Sequence, residues 1–306
     1  MLNMTDFQQK ISTLLPNISL RFQEPMAKHT SFKIGGPAEV MAFPRDKDEL
    51  AALLKTSALL DCTPVILGAG TNVLAPDEGM KGLVICLKDC LAGMEQIEET
   101  KIRVAAGVTM ARMAVFAAGL GLSGLEFAHG IPGTVGGGVY MNAGAYGGEL
   151  SSVLESCLVF DKESGMLFIA DADQCDFSYR HSAFMSHKQL IIVFATFELK
   201  KGDPDEIKAK IDEYKAKRVA SQPLEFPSAG STFKRPEGHF AGKLIEDAGL
   251  KGYTIGGAQV SEKHAGFVIN RGGASASDIK QLVQHIQKEV KEKFDVSLEC
   301  EIEFIG

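Results

Sequence analysis

Between Gly130 and Glu149 the chain reads Gly-Ile-Pro-Gly-Thr-Val-Gly-Gly-Gly-Val-Tyr-Met-Asn-Ala-Gly-Ala-Tyr-Gly-Gly-Glu, and eight of these twenty residues are glycine. The stretch is neither a linker nor low in complexity, because Ile131, Val135, Val139 and Tyr140 alternate with the glycines and favour burial. Glycine reaches positive φ and lets main-chain N–H groups approach a ligand, and neighbouring amides in such turns form anion-binding concavities. A tight turn between core strands is the plain reading of one glycine pair. This density, entered through Pro132, points instead to a phosphate or cofactor cradle built by Gly130, Ile131, Pro132, Gly133, Thr134, Gly136 and Gly137.

Two further turns share that chemistry. Residues 28–40 place Thr30, Ser31 and Lys33 ahead of Gly35 and Gly36, so hydroxyls and a cation precede a turn suited to phosphate contact. Residues 68–74, Gly-Ala-Gly-Thr-Asn-Val-Leu, follow an apolar run and begin like a dinucleotide fingerprint, with Asp89 where a ribose-binding acid would stand. The fingerprint fails. Val73 occupies the third glycine position, and Pro76 and Gly79 interrupt the required helix. The next strand, expected at 83–87, also comes too soon for a βαβ crossover. What remains is a strand–loop–strand whose Gly68, Ala69, Gly70, Thr71 and Asn72 form a second phosphate loop. A Gly-x-x-x-x-Gly-Lys-Ser/Thr loop is absent from the sequence, which argues against a nucleotide triphosphatase.

Composition narrows the partners. A net charge of −7 over 306 residues argues against nucleic acid. Cysteines 62, 86, 90, 157, 175 and 300 are scattered, no Cys-x-x-Cys or His-x-x-x-His occurs, and no metal site is expected. Such thiols suit a reduced, cytoplasmic setting. The N-terminus carries Asp6 and Lys10 and does not read as a signal peptide, and the longest apolar run, 190–197, is too short to span a membrane.

Apolar spacing predicts helices at 5–15, 46–58, 109–120, 204–218 and 277–294, with a short one ending near Gly249. Asp46 and Glu49 form a capping-box pattern, and Thr109 and Ser277 are expected caps. Strands are expected at 40–43, 64–67, 83–87, 102–106, 158–160, 166–169, 190–197, 264–270 and 296–304. The last alternates, with Glu299, Glu301 and Glu303 on one face. Composition shifts near 200–204, a candidate domain boundary.

Taken together, six motifs resemble the UDP-N-acetylenolpyruvoylglucosamine reductase (MurB) family. They are Thr30-Ser-Phe-Lys-Ile-Gly-Gly-Pro-Ala38, Gly68-Ala-Gly-Thr-Asn72, Gly130-Ile-Pro-Gly-Thr-Val-Gly-Gly137 with Asn142-Ala-Gly-Ala-Tyr-Gly147, Phe177-Ser-Tyr-Arg180, Gly230-Ser-Thr-Phe-Lys234 and Leu298-Glu-Cys-Glu301. They run in the family's order over nearly the whole chain, and the length resembles its shorter subtype. Cys300, Gly266, Ser178 and Arg235 depart from the family's usual residues.

The resemblance implies an α+β fold: a two-subdomain FAD-binding fold of the vanillyl-alcohol-oxidase kind, at 1–90 and 91–202, and an α/β substrate-binding domain at 203–306. It implies noncovalent FAD, NADPH as hydride donor, and UDP-GlcNAc enolpyruvate as substrate of a monomeric enzyme. Hydride would pass through flavin N5 to substrate C3. Ser231 would protonate C2, and Arg180 and Glu301 would stabilise the enolate-like intermediate. Tyr179, Gly230, Lys234 and Asn142 would bind substrate. Outside the resemblance, Ser231 reads as a turn residue, Glu301 as an exposed carboxylate and Arg180 as a surface ion-pair partner; their joint presence at family positions is what singles them out. Two alternatives stay open: another FAD-dependent sugar or alcohol oxidase on the same cofactor fold, and a nucleotide-binding protein without the chemistry.

Overall fold

Helix starts follow the side chains available to cap them. Thr5 accepts the Gln8 amide and Gln8 answers to the Thr5 N–H, opening Asp6–Leu14. Thr109 accepts the Arg112 amide ahead of Met110–Gly119. Asp46 opens Lys47–Leu59 as expected, but Glu49 turns back to the amide of Arg45 instead of closing a box on Asp46. The computed structural model describes residues 4–88 and 90–306, so Asp89 and the first three residues lie outside the described residues.

Two compact units form, each from separate stretches of chain. One comprises Met1–Phe22, Glu39–Ala69 and Gly82–Lys217; the other comprises Gln23–Ala38, Gly70–Lys81 and Arg218–Gly306. The division does not follow chain order: two short excursions near the N-terminal half join the C-terminal unit.

The first unit holds a five-stranded sheet in the order Met166–Asp171, Leu154–Asp161, Leu190–Glu198, Lys101–Ala105 and Met94–Gln96, antiparallel throughout. Its core gathers Ile102, Val104, Met110, Met113, Val135, Val139, Val159 and Phe197, so the methionines of Met110–Gly119 are packing residues. A second sheet orders Ser19–Pro25, Pro37–Phe43, Met80–Cys86 and Val65–Leu67. Val65–Leu67 and Met80–Cys86 pair parallel, with Val65 opposite Val84. The connection between them carries only the two-residue strand Val73–Leu74 and no helix, consistent with the absence of a dinucleotide βαβ unit.

In the second unit, Thr254–Ile255, Ala258–Val260 and Val268–Asn270 make an antiparallel sheet. The long helix Ala276–Phe294 contributes buried Ile279, Leu282, Val283, Ile286 and Val290 to the core. It starts two residues earlier than the Ser277 cap predicts. Ser275 and Asp278 form a reciprocal box, and the Asp77 carboxylate also accepts the amides of Ala276 (2.7 Å) and Ser277 (3.1 Å), a contact made from 199 residues away. Two expected strands shorten. Only Val268–Asn270 of 264–270 is extended, because the Phe267 amide turns back to the His264 carbonyl at 3.0 Å. Of 296–304 only Glu303–Phe304 is a strand, paired parallel with Val73–Leu74. Among the described residues no helix is long and apolar enough to cross a membrane, and all six cysteines are free thiols.

Candidate active site

In the first unit the chain enters the glycine cradle through the 3-10 helix Glu126–Gly130. Glu126 is 4% exposed, an unusual place for a carboxylate. Burial disfavours its charge, yet the Ser123 hydroxyl (2.6 Å), the Gly124 amide (3.0 Å) and the positive Lys210 together hold the carboxyl below its ordinary range. The sequence reading missed this residue, although Ser123-x-x-Glu126 has the spacing of a local cap.

After the cradle's entry, Thr134 caps the short helix Val135–Tyr140. The amides of Val135 and Gly136 are spent on Val108 (2.8 Å) and Ala106 (2.9 Å). Those of Gly133 and Thr134 reach no protein acceptor among the described residues. The 68–72 loop meets the cradle here: a Cβ on Gly68 would lie 2.4 Å from Thr134 Oγ1, so only glycine permits the approach. The two glycine turns expected to work together are therefore in contact at this point.

Arg180 stands in a tight turn closed by Ser178 and His181, whose amides and carbonyls bond reciprocally at 3.2 and 3.1 Å. Its φ is +54°, a left-handed conformation costing a non-glycine residue about 1–2 kcal/mol. The guanidinium donates to the carbonyls of Gly144 (2.9 Å) and Asn142 (3.4 Å), both in the second half of the cradle motif. Tyr179 is exposed and lies under the Arg180 guanidinium at 5.0 Å. Asn142 requires a correction. It is 0% exposed, and its side chain is engaged by Ser178 and Ser151, so it is not placed to touch a substrate.

The second unit assembles the remaining residues. Gly70 has φ +62° and an added Cβ would lie 2.1 Å from the His29 carbonyl. Its own carbonyl accepts the amide (2.9 Å) and hydroxyl (3.4 Å) of Ser31, which fastens the 29–36 turn to the 70–72 turn. Thr30 is buried and its hydroxyl closes that turn on the Ile34 carbonyl at 2.9 Å. Gly35 and Gly36 are engaged by the protein through the Ala27 amide and the Pro76 carbonyl. The amide of Gly70 has no protein acceptor among the described residues.

Residues 230–234 and 299–303 are brought together in this unit. The Glu301 amide donates to the Thr232 carbonyl and the Lys234 amide to the Glu299 carbonyl, each at 2.9 Å, with Phe233 bridging to Cys300. Asn72 binds the same segment twice: its Nδ2 donates to the Glu301 carbonyl at 2.9 Å, and its carbonyl accepts the Glu303 amide at 2.9 Å. Ser231 is exposed beside Gly230, whose φ is +77°. The Lys234 ammonium pairs with the Glu299 carboxylate. Burial pushes the Cys300 thiol up, which leaves it a neutral packing group next to Glu301.

These residues fit FAD. Amides with no protein acceptor at Ala69 and Gly70, and again at Gly133 and Thr134, are what a pyrophosphate requires of a protein, and glycine keeps Cβ atoms out of the turns that carry them. Within the second unit the exposed Ser231 hydroxyl and the half-buried Glu301 carboxylate are groups able to donate a proton or a hydrogen bond, and within the first the Arg180 guanidinium is a group able to bind a carboxylate.

Comparison with known proteins agrees. A family profile described as an FAD binding domain matches residues 38–170. A second, described as the UDP-N-acetylenolpyruvoylglucosamine reductase C-terminal domain, matches residues 222–305. The chain is 47% identical over 297 residues to the UDP-N-acetylenolpyruvoylglucosamine reductase of Caldanaerobacter subterraneus subsp. tengcongensis, covering 97% of each chain. It is 47% identical over 311 residues to that of Agathobacter rectalis, covering 98% of each. Among solved structures it resembles the reductase (MurB) of Thermus caldophilus, with a TM-score of 0.77 and 31% identity over 95% of this chain and 99% of that one.

Proposed function

The chain belongs to the UDP-N-acetylenolpyruvoylglucosamine reductase family, and from that premise we propose that Ser231, Arg180 and Glu301 act on the substrate. The protein is an FAD-dependent oxidoreductase that reduces UDP-N-acetylglucosamine enolpyruvate to UDP-N-acetylmuramate with NADPH, a step of peptidoglycan precursor synthesis. Bound FAD supplies the hydride relay from NADPH to the substrate's C3.

Thr30, Ser31, Gly35, Gly36, Gly68, Ala69, Gly70, Thr71, Asn72, Gly130, Ile131, Pro132, Gly133, Thr134, Gly136 and Gly137 are the residues that would hold the cofactor. Hydride addition at C3 leaves negative charge at C2, delocalised into the substrate carboxylate. Arg180 is permanently charged and binds that carboxylate with a fork of donors, stabilising the enolate-like species. Ser231 gives its hydroxyl proton to C2. A serine is a weak acid, but C2 is then strongly basic and the hydroxyl need only be close. Glu301 shares the carboxylate with Arg180. Tyr179, Gly230 and Lys234 contact the substrate. The enzyme is monomeric and cytoplasmic, with FAD held noncovalently.

The observation that carries this reading is the main-chain bond from Glu301 to Thr232, which sets Glu301 beside the residue following Ser231. The test is optical. Purified enzyme is expected to be yellow, to bleach anaerobically with NADPH, and to recover its colour with the enolpyruvyl UDP-sugar but not with simple sugars. Reoxidation by a simple sugar or alcohol would overturn the reading.

A further inference from the structure

Resting on the role proposed for Arg180, we propose that Asn142 is a positioning residue for it, reaching the reaction only through the 178–181 turn. Asn142 is fully buried with φ +43°, a left-handed conformation that asparagine tolerates better than most residues. Every direction in which it bonds leads to the Arg180 turn or fixes its own place. Nδ2 donates to the Ser178 carbonyl at 3.0 Å, and Oδ1 accepts the Ser151 amide at 3.0 Å. Its main-chain carbonyl accepts Arg180 Nη1 at 3.4 Å, while Gly144, two residues on, accepts Nη2 at 2.9 Å.

The Ser178 carbonyl is also the acceptor that closes the turn on the His181 amide at 3.1 Å. Asn142 thus grips the atom on which the turn's geometry depends. One residue past the turn, the Ser182 hydroxyl donates to the Tyr140 carbonyl at 2.6 Å, pinning the exit to the same stretch. Arg180 holds positive φ between these two anchors, a conformation that needs its surroundings to impose it. A long cationic side chain held this way is already oriented before a carboxylate arrives, and orientation paid in advance is what speeds the reacting step. A residue that served only the fold would influence flavin binding and both half-reactions alike.

The test uses the FAD-loaded enzyme and stopped-flow measurement of each half-reaction, with Asn142→Gly, Arg180→Ala and the double variant. Asn142→Gly keeps the left-handed backbone and removes the side chain. Asn142→Asp is the second variant, retaining the acceptor for the Ser151 amide but setting an oxygen against the Ser178 carbonyl. Both are expected to load FAD and bleach with NADPH within about twofold of the parent, while reoxidation by the enolpyruvyl substrate slows about 10- to 100-fold. The double variant is expected to reoxidise like Arg180→Ala alone, because removing the positioner costs nothing once the positioned group is gone.

If Arg180→Ala slows reoxidation but Asn142→Gly does not, or if the two losses multiply in the double variant, the positioning role is wrong and that of Arg180 survives. Normal reoxidation by Arg180→Ala removes both. Failure of both Asn142 variants to load FAD, or an equal fall in the two half-reactions, assigns Asn142 to the fold and also overturns the proposal.

Discussion

The side-chain amide of Asn72 donates to the main-chain carbonyl of Glu301 at 2.9 Å, joining residues 229 positions apart. The carbonyl of Asn72 receives the Glu303 amide in return, so one residue of a glycine turn clasps the chain on either side of Ile302. The turn proposed to hold the cofactor and the carboxylate proposed to react are thereby parts of one hydrogen-bonded assembly.

Asn72→Ala should therefore impair two properties at once. FAD retention through gel filtration should fall, and the fraction still loaded should be reoxidised by substrate on the order of 10²-fold more slowly, as expected for a reacting group displaced by about 1 Å. Loss of FAD with normal reoxidation of the loaded fraction would mean that the clasp does not place Glu301.

Ser231 is exposed, so Ser231→Ala should leave stability within about 0.5 kcal/mol of the parent in urea unfolding. Bleaching by NADPH should be unchanged. Reoxidation by substrate should slow by about 10²- to 10⁴-fold, the usual contribution of a positioned proton donor. Near-normal turnover would remove the serine from the reaction.

Gly68→Ala should force apart the contact between the 68–72 loop and the cradle, since the new methyl would meet Thr134 Oγ1 at 2.4 Å. A loss of about 1–3 kcal/mol is expected from such overpacking. Adding Thr134→Ala removes the clashing oxygen, so the double variant should unfold at higher urea than Gly68→Ala alone. Simple addition of two losses would show that the contact is not what makes residue 68 glycine.

Acid should act through Glu126. Its carboxyl titrates below the ordinary value of 4.5 in the fold, so the charged form's bonds add stability above that value, and the contribution is lost as pH falls through the depressed one. Glu126→Gln should cost about 1–3 kcal/mol at neutral pH, because the Ser123 and Gly124 donors lose a charged acceptor. The gap between parent and variant should close as the solution is acidified below 4.5. A gap constant with pH would mean that the charge contributes nothing.

Much of the fold, and the glycine turns of the candidate site as local structures, were legible because local chemistry carries them. Thr5, Asp46 and Thr109 cap the helices that their spacing announced. The broken fingerprint at 68–74 likewise corresponds to a connection without a helix. Spacing and structure differ at two places. The helix starts at Ser275 and not Ser277 because Ser275 forms a reciprocal box with Asp278, a local pattern, and Asp77 adds acceptors from another part of the chain. The alternation of 296–304 suggested a long strand, yet its main chain is divided between Thr232 and Asn72, and only Glu303–Phe304 is extended.

By itself the sequence determined the character of the turns: glycine, hydroxyl and amide residues at spacings that admit a pyrophosphate, in the order of one enzyme family. Such features depend on a few consecutive φ and ψ angles and on neighbours within a helical turn. Only the tertiary structure decided that Asn142 is sealed inside and faces Ser178, and that Asn72 reaches Glu301. Asparagine offers the same donors and acceptor wherever it stands; which carbonyl receives them is set by packing between segments that the sequence keeps far apart.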